Sequence, residues 1–259
     1  MTDLEEINAI IKESGNSFHC KVCNYLKEKG WHTLVSPYYM DSSSNKPREI
    51  DLVAEKSWHY NASYGNNRHG TINLKLFIEC KYIPQKNVFW FSKKDILSAK
   101  EWVTSNTPLP KNNMFTDQHH YLATNPKVAK LFASKNKSGI ENEVIYKALN
   151  QSLNAMVYLR GKESIIPKLP DRKYNILHTV EIPVILCNSF DNFYFVDMEN
   201  TKIPHKINDN FQLEINYAYL DYQKNHRSEF FLIDVVDYNQ LDGFLGVLES
   251  DKDAIFQIL

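Results

Sequence analysis

Glycine, cysteine, excess charge and long apolar runs are all scarce in this 259-residue chain, and each scarcity excludes something. Eight glycines are too few for a collagen-like or low-complexity chain. The four cysteines, Cys20, Cys23, Cys80 and Cys187, are scattered. Cys20 and Cys23 make a lone Cys-x-x-Cys, with no second pair at zinc-site spacing and no strand before it. They lie about one turn apart in an expected helix and read as reduced thiols packing on it. Lys and Arg number 30 against 31 Asp and Glu, so no global basic field draws in a polyanion, although a local basic groove remains open. No apolar run approaches the ~18 residues of a membrane span. Residues 1–6 are acidic and lack a signal-peptide pattern, so a cytoplasmic location away from membranes is expected. There is no His-Glu-x-x-His, no phosphate-binding glycine loop, no Gly-x-Ser-x-Gly and no dinucleotide fingerprint.

What is present is an ordinary globular balance, 43% hydrophobic and 24% charged, with an aromatic share of 13% that is rather high. The unusual chemistry sits in two short runs, Glu49-Ile50-Asp51-Leu52-Val53 and Phe77-Ile78-Glu79-Cys80-Lys81. Both are apolar and strand-like, yet carry charges where a buried strand normally has none, and an unpartnered buried charge is costly. Side chains alternate along a strand, so Leu76, Ile78 and Cys80 share one face and Phe77, Glu79 and Lys81 the other. The spacing predicts that Glu79 and Lys81 stand side by side. Asp51 on a neighbouring strand would complete a set suited to a hard divalent cation.

Around this centre the pattern predicts helices over 2–12, capped by Thr2 and Glu5, and over 16–29, stopped by Gly30. Strands are expected over 31–39, 48–55 and 74–83. Residues 56–73, with Trp58, His59 and Tyr60, read as a polar aromatic loop, either a nucleic-acid contact or an ordinary hairpin connection. Further on, a helix starts at 92–95, 121–125 reads as a strand, and Pro126 opens a helix to 134. Lys127, Lys130, Lys135 and Lys137 form either a solvated face or a phosphate-contacting edge. His119 and His120, adjacent on a strand, should point to opposite sides and make a poor ligand pair. The longest helix, 141–159, carries Gln151 on an apolar face, where an amide needs partners. Residues 161–179 are a polar linker, 182–187 and 193–196 a hairpin, 211–220 and 230–236 strands, and 241–248 a helix. Asp234 and Asp237 read as structural, in the manner of a cap where a strand enters a helix.

The runs Pro47-Arg48-Glu49-Ile50-Asp51 and Glu79-Cys80-Lys81 resemble the motif of the PD-(D/E)xK nuclease superfamily. Gly15-Asn16-Ser17-Phe18 and Cys80-Lys81-Tyr82-Ile83-Pro84-Gln85-Lys86 look most like its Mrr-type restriction endonuclease branch. The resemblance covers roughly residues 13 to 134. It implies an α/β fold: a restriction endonuclease-like core over 1–160, with a central mixed β-sheet flanked by helices on both faces. Residues 161–259 would be a C-terminal α+β extension, separate from the core or continuous with it.

The implied activity is Mg²⁺- or Mn²⁺-dependent phosphodiester hydrolysis, in DNA before RNA. Asp51, Glu79 and Lys81 would be catalytic, with Asp51, Glu79 and the backbone carbonyl of Cys80 as metal ligands. The family often has a glutamate where this chain has His19. Glu13 is a possible substitute, and His19 itself is either an accessory group or a solvent-exposed helical histidine. Gln151 either faces the site, as a glutamine does in several members, or ties down its helix. A homodimer cutting both strands is implied by resemblance alone. A catalytically silent nucleic-acid-binding or assembly module, and a structural protein with a buried ion cluster, stand as the other readings.

Overall fold

The computed structural model describes residues 3–13, 15–41, 44–62, 68–136, 139–141, 143–160, 176–221 and 223–259. Helices α1 (Asp3–Glu13) and α2 (Asn16–Glu28) come first. Thr2, half of the expected capping box, lies outside the described residues. Gly30, at φ 79°, ends α2 in a left-handed conformation that favours glycine, and its N–H donates to the carbonyl of Lys27.

The strand expected over 31–39 is two strands. Ser36, at φ 49°, breaks it into β1 (His32–Val35) and β2 (Tyr38–Asp41). β2 pairs with β3 (Lys46–Glu49) in a small sheet of its own, whereas β1 joins the main sheet. Most of the expected loop over 56–73 is instead a long antiparallel hairpin, β4 (Leu52–Ala62) with β5 (Arg68–Lys81). Aromatic and β-branched residues suit a pleated, half-buried surface, and Trp58 and Tyr60 face Ile72 and Gly70 across it. Residues 63–67 lie outside the described residues.

The chain continues through β6 (Asn87–Lys93), α3 (Ile96–Asn106), α4 (Met114–Asp117), α5 (His120–Ala123), β7 (Lys127–Asn136) and β8 (Gly139–Glu141). Next come α6 (Glu143–Leu159), β9 (Ile176–Cys187), β10 (Phe193–Asp197), β11 (Asn200–Lys206), β12 (Phe211–Leu220), β13 (His226–Asp237) and, after a single 3₁₀ turn, α7 (Leu241–Phe256). Three expectations are corrected here. The strand at 121–125 is the short helix α5, capped by His119, whose Nδ1 accepts the N–H of Tyr121. The helix from Pro126 is the strand β7, because Val128, Ala129, Leu131 and Phe132 line up against β6, and Ala129 also against Leu213 of β12. The segments at 182–187 and 193–196 do not pair with each other: β9 lies between β5 and β13, and β10 pairs with β6 and β11.

The result is an α/β protein with a large mixed sheet, ordered β1-β4-β5-β9-β13-β12-β7-β6-β10-β11, with β8 added to β7. The sheet crosses residue 160 without a break, since β9 runs parallel to β5 from Gly70↔Ile176 to Lys81↔Cys187. Helices cover both faces. On one, Lys56 reaches Glu249 of α7 and the Tyr60 ring meets Phe256. On the other, Glu55, Lys75 and Glu181 stand in register across β4, β5 and β9, and Arg160 at the end of α6 lies 3.6 Å from Glu181. Among the described residues, no helix is long and apolar enough to cross a membrane.

Candidate metal centre

β5 reads as an amphipathic strand, and both of its faces are covered. Ile72, Leu74, Leu76, Ile78 and Cys80 form one buried row; Asn73, Lys75, Phe77 and Glu79 form the other. Polar groups on a buried row need partners. Lys75 finds Glu55 at 3.1 Å. Glu79, fully buried, finds Lys81: the ammonium lies 2.6 Å from Glu79 Oε2 and 3.6 Å from Asp51 Oδ2.

Asp51 does not lie within a strand, as the alternation argument assumed. It sits in a bend between β3 and β4. Backbone bonds hold that bend: Ser36 N–H donates to Asp51 O at 2.9 Å and Ile50 N–H to Pro37 O at 3.2 Å. Freed from the ladder, the Asp51 carboxylate turns toward β5. Its Oδ2 accepts the N–H of Cys80 at 2.8 Å, and its own N–H donates to Glu79 Oε1 at 3.3 Å.

The electrostatics follow from burial. Removal from water pushes the Glu79 carboxyl up to about 8, the Asp51 charge adds to this, and Lys81 opposes it. For Lys81, burial works against the ammonium, but the charges of Glu79 and Asp51 outweigh it and hold its pKa above the usual lysine value. Burial, with the nearby carboxylates, raises the Cys80 thiol, which therefore stays protonated.

The accessory residues divide. His19 Nε2 lies 3.4 Å from Asp51 Oδ2, with its side chain 23% exposed. It begins the stripe His19, Val22, Cys23, Leu26 that α2 turns toward the sheet, and the last three are buried. That spacing was the signal that His19 faces inward. Gln151 is half-buried and donates to the carbonyl of Glu49 at 3.4 Å, tying α6 to the strand before Asp51. The side chain of Glu13 lies outside the described residues. Of the lysine face, Lys127 pairs with Asp197 and Lys130 with Glu214. The side chain of Lys135, and Lys137 altogether, lie outside the described residues.

Sequence reasoning missed a second polar cluster. His119 and His120 stack, with ring centroids 4.8 Å apart, and both are buried beside Asp251 and Asp234. His120 Nδ1 meets Asp251, and its Nε2 lies 3.1 Å from Asp234. With a carboxylate on each nitrogen, the ring is an imidazolium: burial works against the charge, but Asp251 and Asp234 outweigh it and raise the pKa to about 10. Burial lowers His119 to about 4. Its Nδ1 accepts the Tyr121 N–H at 3.3 Å, so the ring's proton sits on Nε2. That nitrogen is thus a donor, lying 3.6 Å from Asp251 with no hydrogen-bond partner. Lys94 adds a cation, bonded to the carbonyls of Tyr121 and Thr124. Two carboxylates against two cations make a buried ion network, and ligand atoms of His119, His120 and Asp251 within it lie within 4.8 Å of one another, close enough to hold a metal ion.

Asp237 accepts the N–H of Asn239 and starts the 3₁₀ turn before α7. Asp234 belongs to the ion network. No family model matches the chain, and no curated protein or solved structure shows significant similarity to it.

Proposed function

We propose that this chain is a metal-dependent nuclease that hydrolyses phosphodiester bonds, in DNA by preference, on a restriction endonuclease-like core. The carrying observation is the convergence of Asp51, Glu79 and Lys81, where one ammonium lies 3.6 Å and 2.6 Å from two carboxylates. Two acids and an ammonium drawn together at the end of a buried strand are costly to assemble, and perturbed groups of this kind cluster at functional sites.

The donor set fits a hard divalent cation such as Mg²⁺ or Mn²⁺. Such ions take carboxylate and carbonyl oxygens and keep several waters. Asp51, Glu79 and the Cys80 carbonyl would hold the ion. Asp51 and Lys81 keep partial access to solvent, with side chains 15% and 19% exposed. A cation seated there supplies Lewis-acid stabilisation of the phosphate and an activated water.

The protein's own groups have distinct tasks. The Cys80 N–H and the bend at Ser36–Pro37 fix Asp51. Burial, against the pull of Lys81, holds the Glu79 carboxyl up at about 8, and a bound cation would favour its ionised form. Lys81 lies between the two acids; with a cation held by Asp51 and Glu79 its ammonium would be free to stabilise charge growing on a phosphate oxygen. Gln151 braces the peptide before Asp51.

Nicking of supercoiled plasmid by the full chain, with Mg²⁺ or Mn²⁺ and with chelator, tests this reading. Cleavage should require the cation and disappear in Asp51→Asn and Lys81→Ala. Cleavage that persists in both variants would reject the assignment. Binding without cleavage, lost steeply with salt, would point to the silent nucleic-acid-binding module.

A further inference from the structure

The donor atoms around Asp51 are not all hard. His19 Nε2, a carboxylate oxygen of Asp51 and the thiol sulfur of Cys80 all lie within 4.8 Å of one another. β5 and the bend explain this. Glu79 and Lys81 reach Asp51 from one face of the strand. Cys80 points to the other face, the side on which α2 lays His19 at the head of its buried stripe. Asp51 thus stands at the rim between an oxygen-rich half and a half carrying nitrogen and sulfur.

Two donors sharing one small divalent cation, with bonds of about 2.1 Å at right angles, stand about 3 Å apart. The His19 Nε2 to Asp51 Oδ2 separation of 3.4 Å is within a few tenths of that. The side chain is 23% exposed, so it has room to adjust, and the α2 stripe keeps it aimed at the carboxylate. Mn²⁺, like Mg²⁺, leans toward oxygen donors, but it stands at the foot of the first-row series whose later members favour imidazole and accepts one nitrogen ligand more readily than Mg²⁺ does.

We propose that His19 is a metal ligand of the Asp51 site and turns its preference from Mg²⁺ toward Mn²⁺. This rests on the metal-centre reading above and adds to it the identity of one ligand and the metal selected.

The test is metal binding, measured apart from cleavage. Calorimetry on the full chain with MnCl₂ and MgCl₂ gives the affinity ratio, and electron spin-echo spectroscopy of bound Mn²⁺ reports a nitrogen ligand directly. The wild-type chain should bind Mn²⁺ at least about tenfold more tightly than Mg²⁺ and show nitrogen modulation. His19→Ala should lose the modulation and about tenfold in Mn²⁺ affinity, with Mg²⁺ changed less than about threefold. His19→Glu should keep binding both ions while shifting the ratio toward Mg²⁺, which also shows that the variants fold. Mn²⁺ bound by the wild type without nitrogen modulation, or unchanged by His19→Ala while Asp51→Asn abolishes it, would overturn the role of His19 and leave the metal centre standing. Failure of the wild type to bind either ion would overturn the metal-centre reading, and this inference with it.

Discussion

Asp51 accepts the backbone N–H of Cys80 on its Oδ2 at 2.8 Å, so one carboxylate both locks the end of β5 and supplies the site's charge. These roles separate by substitution. Asp51→Asn keeps an acceptor for that N–H and should fold with a loss of less than about 1 kcal/mol. Asp51→Leu leaves the N–H unpaired and should cost about 1–3 kcal/mol. Both should lose cation binding. Urea denaturation beside calorimetry distinguishes the two effects.

The histidine network makes stability depend on pH. His120 has its pKa raised from 6.5 to about 10. Its contribution is complete below pH 6.5 and is lost as pH rises through 10. His119 is lowered from 6.5 to about 4, so its contribution is present above pH 6.5 and lost as pH falls toward 4. Each limb should slope by up to about 1.4 kcal/mol per pH unit. Glu79, raised to about 8, offsets the His119 limb below pH 6.5 and adds to the loss above it, and Lys94, lowered to about 8, offsets the His120 limb above pH 8. Denaturation midpoints should therefore fall most steeply between pH 6.5 and 8. His120→Gln should flatten the alkaline limb, and a midpoint that rises steadily toward pH 10 in the wild type would contradict the assignment.

Asp251 bonds both the backbone N–H and Nδ1 of His120 from 131 residues away in sequence. Asp251→Ala leaves a buried imidazolium with one carboxylate and should destabilise the chain by about 3–5 kcal/mol. Because this network is separate from the Asp51 site, cation binding by the fraction that stays folded should be unchanged.

Gly70 lies opposite Tyr60 in the β4–β5 hairpin, and a Cβ there would overlap the tyrosine ring. Tyr60 is itself buried against His178 and Phe256. Gly70→Ala should therefore cost about 1–3 kcal/mol in thermal or urea unfolding. Tyr60→Ala/Gly70→Ala should cost less than the two single changes together, since the clash is then gone.

The sequence carried the site further than the fold around it. Period-two alternation put Glu79 and Lys81 on one face of β5, and the structure has them bonded. Asp51 was found for its charge among apolar neighbours, but its bend was hidden because Ser36 adopts a positive φ that nothing local required. Pro126, well placed in a helix's first turn, points to a helix where β7 stands; the pairing with β6 and β12 decides, and neither partner is visible in the local sequence. The same distance hid the His120 network, whose carboxylates lie more than a hundred residues downstream.

One crystallographic measurement tests the central claim most directly: anomalous scattering from crystals of the full chain soaked in Mn²⁺. The expected result is a single strong peak at bonding distance from both Asp51 and Glu79, with the Lys81 ammonium displaced from between them. A peak elsewhere, or none while Lys81 stays bonded to Glu79, would contradict a metal-dependent site at this strand end.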